Sequence, residues 1–182
     1  MEENPHRSHI ITLYGRELIH EGQPKEAIDV LFQALKTPDS ETADEGLNLL
    51  LTIFLLGVAY FELKEYEICK WYCEEFIRVD PTYREPYFLM ARALYELKVY
   101  PLIPAVIKAG MENSTYKCNW VESGNSWNYE SDIILSYAYI ALEKYSEAVP
   151  CLQTIIKYEP NNSEFLRAYV LCLEKLLENK ID

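Results

Sequence analysis

The chain has 182 residues, of which 49% are hydrophobic and 25% are charged, so it can build a buried core beneath a charged surface. Its 29 acidic and 17 basic residues give a formal net charge of -12, which argues against binding nucleic-acid phosphates or anionic membranes. The polar start of the sequence does not resemble a signal peptide, and no apolar run is long enough to cross a bilayer. We therefore expect a cytoplasmic protein that binds neither nucleic acid nor membranes.

A short motif recurs along the chain between stretches that have the apolar periodicity of helices. Leu63-Lys64-Glu65-Tyr66 returns after 34 residues as Leu97-Lys98-Val99-Tyr100, and Leu142-Glu143-Lys144-Tyr145 follows 45 residues later. A 34-residue period built from helix–turn–helix units is typical of tetratricopeptide repeats, which this sequence resembles. The pattern favours a binding function over a catalytic one.

This resemblance predicts an all-α fold, a right-handed superhelix (α-solenoid) of four helix–turn–helix repeats followed by a C-terminal capping helix. We assign residues 1–182 to this single domain. The repeats are expected at about 8–38, 47–82, 84–112 and 129–161, and the capping helix at 163–179. An insertion rich in aromatic residues, 111–128, separates the third and fourth repeats.

In this architecture the first helix of each repeat lines the concave face, so its inward positions predict a binding groove. The expected lining is aromatic and apolar, with arginines as the cations, and would suit an extended or helical peptide that carries an acidic side chain. The predicted partner-binding residues are Arg16, Phe54, Val58, Phe61, Phe88, Arg92, Tyr95 and Tyr137, followed by Trp120 and Trp127 in the insertion.

Three alternatives stay open from the sequence. The groove is either free for a protein partner or filled by the chain's own side chains. The tryptophans of the insertion either pack back onto the repeats or contact a partner. The sequence also leaves open whether the chain forms a homodimer.

No pattern in the sequence indicates catalytic chemistry. His6, His9 and His20 lack metal-site spacing, and Cys69 and Cys73 share a helix face without a second ligand pair. The five cysteines contain no C-x-x-C pair, which fits reduced thiols. Gly-rich phosphate loops and hydrolase motifs are absent from the sequence. We therefore expect no catalytic residue, no cofactor and no metal, and a chain that is not an enzyme by itself.

A more specific pattern begins at Arg84-Glu85-Pro86-Tyr87, passes through the tryptophan-containing insertion, and continues in Tyr129–Asp132 and Leu135–Tyr139. It resembles the repeat region that follows the catalytic domain in bacterial family 2 glycosyltransferases. The resemblance implies a non-catalytic accessory region that docks a polypeptide acceptor or mediates self-association. It transfers no catalytic residue, because the nucleotide-sugar domain is missing from this chain. The alternative is a free-standing adaptor or regulatory protein unrelated to sugar transfer.

Overall fold

The computed structural model describes residues 7–37, 45–113 and 129–178. The chain divides into two compact units, Met1–Pro81 and Thr82–Asp182. The first unit contains α1 (Arg7–His20), α2 (Pro24–Lys36), α3 (Glu45–Glu62) and α4 (Tyr66–Val79). The second contains α5 (Glu85–Glu96), a 3-10 turn (Tyr100–Leu102), α6 (Ile103–Asn113), α7 (Glu130–Ala141), α8 (Tyr145–Tyr158) and α9 (Ser163–Glu178).

The repeated tetrapeptide forms the turn between the two helices of a pair. Its second residue is left-handed in every copy, with φ values of 63° at Lys64, 60° at Lys98 and 57° at Glu143. Gly22 has the same conformation, with φ of 74°, in the turn between α1 and α2. In the turn after α5, the Lys98 N–H donates to the Tyr95 carbonyl at 2.9 Å. The next N–H in the chain donates to the carbonyl five residues before it, which completes a Schellman motif.

Glycine substitution should stabilise the protein at a left-handed turn residue and destabilise it inside a helix. A left-handed lysine is strained where glycine is not, so Lys98→Gly is expected to raise the free energy of unfolding by about 0.5–1 kcal/mol. The matched control is Lys108→Gly, an exposed lysine in α6, which should lower the same free energy by about 1 kcal/mol. Chemical denaturation of the two variants measures both effects, and a loss of stability in Lys98→Gly would contradict the assigned turn.

In the first unit, a buried polar ladder fixes how α1 packs against α3. The Thr12 and Thr52 hydroxyls are 2.8 Å apart, and the Asn48 amide donates to the Ser8 hydroxyl at 2.8 Å. Ser8 in turn donates to the Ala34 carbonyl of α2 at 3.1 Å. Because buried polar groups are costly unless paired, a shift of α1 along α3 would leave several of them unsatisfied.

The second unit has two apolar clusters, one on each side of α7. The first joins α5, α6 and α7 through Phe88, Ala91, Leu94, Ile103, Ile107, Ile134 and Ala138. The second joins α8 and α9 through Ala148, Leu152, Ile155, Phe165 and Cys172, and side chains of α7 pack against it. Each helix of this unit therefore buries one face against a neighbour in the chain, as expected of helical repeats.

Candidate functional site

The predicted contact residues of the first unit differ in their accessibility. Phe54 is only 7% exposed, and its ring packs edge-on against Phe76 with the centroids 6.3 Å apart. Val58 and Phe61 are half-buried further along α3, and Phe61 lies edge-on to Tyr66 at 5.3 Å. Arg16 in α1 is half-buried and its guanidinium lies 3.0 Å from the Glu17 carboxylate. Of these residues, Phe54 contributes to the core, whereas the others keep accessible surface.

The predicted contact residues of the second unit also include a buried phenylalanine and more accessible side chains. Phe88 is 3% exposed and belongs to the apolar cluster between α5, α6 and α7. The guanidinium of Arg84 covers the edge of this core, with its central carbon 5.7 Å from the centroid of the Phe88 ring. Arg92 lies on α5 one helical turn after Phe88 and is exposed. Tyr95 follows three residues after Arg92 and is half-buried.

Tyr95 and Tyr137 form part of a ring cluster that spans α5, α7 and α9. Their centroids are 6.0 Å apart, Tyr95 also lies 5.3 Å from Tyr100, and Tyr137 lies 6.5 Å from Phe165. These distances are typical of favourable aromatic pairs. We call Tyr95, Tyr100 and Tyr137 the tyrosine cluster. The structure thus brings together two of the predicted contact residues, on separate helices of one unit.

Hydrogen bonds fix the polar edge of this cluster. The Tyr137 hydroxyl donates to Oε1 of Glu164 in α9 at 2.6 Å. Burial and this carboxylate raise the pKa of Tyr137 well above its ordinary value, so the phenol stays protonated. Nearby, the Tyr129 hydroxyl donates to Oε1 of Glu159 at 2.6 Å, and that bond lowers the pKa of Glu159. The hydroxyls therefore act as hydrogen-bond donors that hold carboxylates in place.

Arg92 lies close enough to α7 to affect a carboxyl group there. Burial raises the pKa of Glu130 above its ordinary value, and the charge of Arg92 opposes that rise. The cation thus compensates in part for a half-buried carboxylate in its own unit. Arg92 and Glu164, which are exposed, and the half-buried Glu130 therefore lie on α5, α9 and α7, the three helices that the ring cluster spans.

Two of the predicted contacts cannot be placed. Trp120 and Trp127 lie outside the described residues.

The structure also shows an aromatic group that the groove prediction did not include. Trp71 in α4 is 52% exposed and lies edge-on to Tyr72, which stacks on Tyr60 with the centroids 5.5 Å apart. Its signal in the sequence was a tryptophan at a helix position where the repeat pattern does not require an apolar residue.

The thiols of the described residues are unsuited to nucleophilic chemistry. Cys69, Cys73, Cys151 and Cys172 are free and buried. Burial raises the pKa of Cys73, and burial together with Asp132 raises the pKa of Cys151 to about 12.

In the described part of the chain, no three His, Cys, Asp or Glu side chains are grouped to hold a metal ion. Nor is any helix there long and apolar enough to span a bilayer.

Comparison with known proteins supports the repeat interpretation. The family model for the tetratricopeptide repeat matches residues 52–83 and 133–162. The structure also superposes on a crystal structure of MamA with a TM-score of 0.72 at 15% identity, covering 93% of this chain and 82% of that one. The fold is that of tetratricopeptide repeats. The predicted all-α class is thus confirmed, and the described ranges contain four helix pairs and a final helix.

Further solved structures give the same result. MamA from Desulfovibrio magneticus RS-1 matches with a TM-score of 0.68 at 14% identity, covering 94% of this chain and 92% of that chain. MamA MSR-1 matches with a TM-score of 0.69 at 18% identity, covering 94% of this chain and 87% of that chain. No curated protein matches the sequence. At these identities the likeness establishes the tetratricopeptide fold alone, and it gives no support to a glycosyltransferase association.

Proposed function

We propose that this tetratricopeptide chain binds a protein partner through the second unit, at the surface formed by Arg92, Tyr95 and Tyr137. The observation that supports this site is the tyrosine cluster, whose Tyr95 and Tyr137 rings are half-buried and 6.0 Å apart on two helices. Half-buried tyrosines offer a rigid apolar surface at little entropic cost, because little rotamer freedom is left to lose. Arginine and tyrosine are also the residues most often found at the energetic centres of protein interfaces.

The chemistry of this surface favours a particular kind of partner segment. The tyrosine rings would take an apolar or aromatic side chain, and Arg92 would take a carboxylate of the partner. Glu130 and Glu164 on the neighbouring helices would repel a second acidic group and select the register of the segment. The bound segment would be extended or helical and would carry one acidic residue near an aromatic one.

A pull-down with the intact chain as bait tests this proposal. Tyr95→Ala combined with Tyr137→Ala is expected to reduce partner capture at least about tenfold, because two contact rings are lost. Circular dichroism should show unchanged helix content, since both side chains are half-buried. The matched control is Tyr14→Ala, an exposed tyrosine of α1, which should leave capture unchanged. Undiminished capture by a folded Tyr95→Ala, Tyr137→Ala variant would reject this binding surface.

A more specific role for the chain is suggested by its sequence resemblance to the repeat region of family 2 glycosyltransferases. We propose that the chain serves as an accessory region of a family 2 glycosyltransferase, where it docks a polypeptide acceptor and raises its local concentration. The free-standing adaptor is the alternative, and the fold is equally compatible with it. The complete reading frame separates the two: a preceding catalytic domain supports the accessory role, whereas a natural start at Met1 supports the adaptor.

A further inference from the structure

The last described helix carries a row of apolar side chains that the described residues of the second unit leave exposed. Leu166, Val170, Leu173 and Leu177 are between 38% and 61% exposed. They follow one another at steps of four, three and four residues, so they form one stripe roughly 16 Å long at 1.5 Å per residue. We call these four residues the α9 stripe. A different face of α9, with Phe165 and Cys172, packs on α8.

Single exposed apolar residues are ordinary, but an aligned row along one helix face is not. The spacing of the α9 stripe is the alternating three-and-four pattern by which two helices pack along a common seam. The stripe therefore has the form of a helix-docking surface.

The charges beside the stripe indicate which helix would dock there. At 100° per residue, Arg167 and Glu174 both flank the stripe on the side away from α8, and both are exposed. Consider a second α9 lying antiparallel, with Leu166 opposite the partner's Leu177. Arg167 then faces the partner's Glu174, and two-fold symmetry repeats the pair with the roles exchanged. A parallel arrangement would instead set Arg167 and Glu174 against the uncharged Asn162 and Tyr169.

The net charge of the chain does not prevent this pairing. Although the whole sequence carries -12, the charged residues of α9 are nearly balanced, with three acidic and two basic side chains. Charges further away than about 8–10 Å are largely screened at physiological ionic strength. The local surface is therefore apolar along the stripe and complementary to itself at the flank.

We propose that the α9 stripe is a self-association site, on which a second copy of this chain docks its own α9 in antiparallel orientation. The inference does not depend on the partner-binding surface proposed above, which lies at the tyrosine cluster. Dimer mass and partner capture are separate measurements, so each proposal fails or holds by itself.

Sedimentation equilibrium of the intact chain tests the proposal. The wild-type protein should show a concentration-dependent mass that rises toward twice the 21.3 kDa of the chain. Val170→Glu combined with Leu173→Glu should abolish the dimer, because it places four carboxylates in the seam. Leu171→Glu is the matched control, because this exposed leucine lies on α9 outside the stripe, and it should leave the dimer intact.

Charge reversal tests the antiparallel register without touching the apolar seam. Arg167→Glu alone should weaken dimerisation about tenfold, because both symmetric pairs become repulsive. Adding Glu174→Arg should restore the wild-type dissociation constant, because both pairs are attractive again with reversed roles. A wild-type chain that stays monomeric at all concentrations would overturn the proposal, as would a dimer that survives the stripe substitutions. A dimer whose Arg167→Glu loss is not rescued by Glu174→Arg would overturn it too.

Discussion

Replacing Phe88 with alanine is expected to lower the free energy of unfolding by about 3–5 kcal/mol. The ring is 3% exposed and packs among Leu94 and Ile107 of its own helix pair and Ile134 of α7. Truncation removes apolar volume from a cluster that three helices share, and it leaves a cavity that closes only if those helices move. The loss should therefore exceed that of an alanine substitution at the neighbouring exposed Arg92.

Chemical denaturation followed by circular dichroism measures this effect. Tyr14→Ala serves as the control, because it truncates an aromatic ring that is 57% exposed and should change the free energy of unfolding by less than about 0.5 kcal/mol. A Phe88→Ala variant as stable as wild type, yet unable to capture a partner, would show that Phe88 contacts the partner rather than the core. For this reason Phe88 is unsuitable for testing the binding surface, and Tyr95 and Tyr137 are the informative positions.

Phe88 also shows how far the sequence could define the candidate site. The repeat register correctly placed Phe88 and Arg92 on one stripe of α5, because helical spacing fixes which residues share a face. It could not predict how much of that stripe a neighbouring helix covers. Phe88 shares a buried cluster with Ile134 and Ala138 of α7, whereas Arg92, four residues after Phe88, stays exposed. Burial along a stripe depends on the crossing of helices distant in sequence, which periodicity does not specify.

The turns illustrate the opposite case. The repeated tetrapeptide predicted where three of the four described helix pairs reverse, because it recurs between predicted helices. Its left-handed second residue could not be predicted, since Lys64, Lys98 and Glu143 carry no conformational signal of their own. Only Gly22 at the first turn has the residue type that this conformation favours. The fold imposes the strained conformation at the other three turns, and the packing of each helix pair compensates for its cost.

The last helix was expected to cap the repeats, and its sequence alone already contained the spacing of the α9 stripe. What the sequence could not show was which face of this amphipathic helix would pack on α8. The structure buries Phe165 and Cys172 there and leaves the stripe exposed. Two apolar faces compete on such a helix, and tertiary contacts with α8 decide between them.

The second large effect is expected at Gly110 in α6, where valine should lower the free energy of unfolding by roughly 3 kcal/mol, at the upper end for overpacking. A Cβ atom at this position would lie 2.7 Å from Tyr87 Cβ and 2.9 Å from its Cγ. Real Cβ atoms do not approach other atoms so closely, and Tyr87 Cβ cannot turn away because it is bonded directly to the backbone of α5. The two helices would have to separate.

That separation would disturb more than one contact. Tyr87 is itself buried, and its hydroxyl accepts a hydrogen bond from the Asn113 amide at 3.3 Å, so movement of α5 also loosens the end of α6. Ala105→Val is the matched control, because it adds two methyl groups at an exposed position of the same helix and costs only the lower helix propensity of valine. Thermal and chemical denaturation of both variants measures the difference. Equal stability of the two would mean that α5 and α6 are not packed backbone against backbone at Gly110, and that small residues are not what sets the spacing of this helix pair.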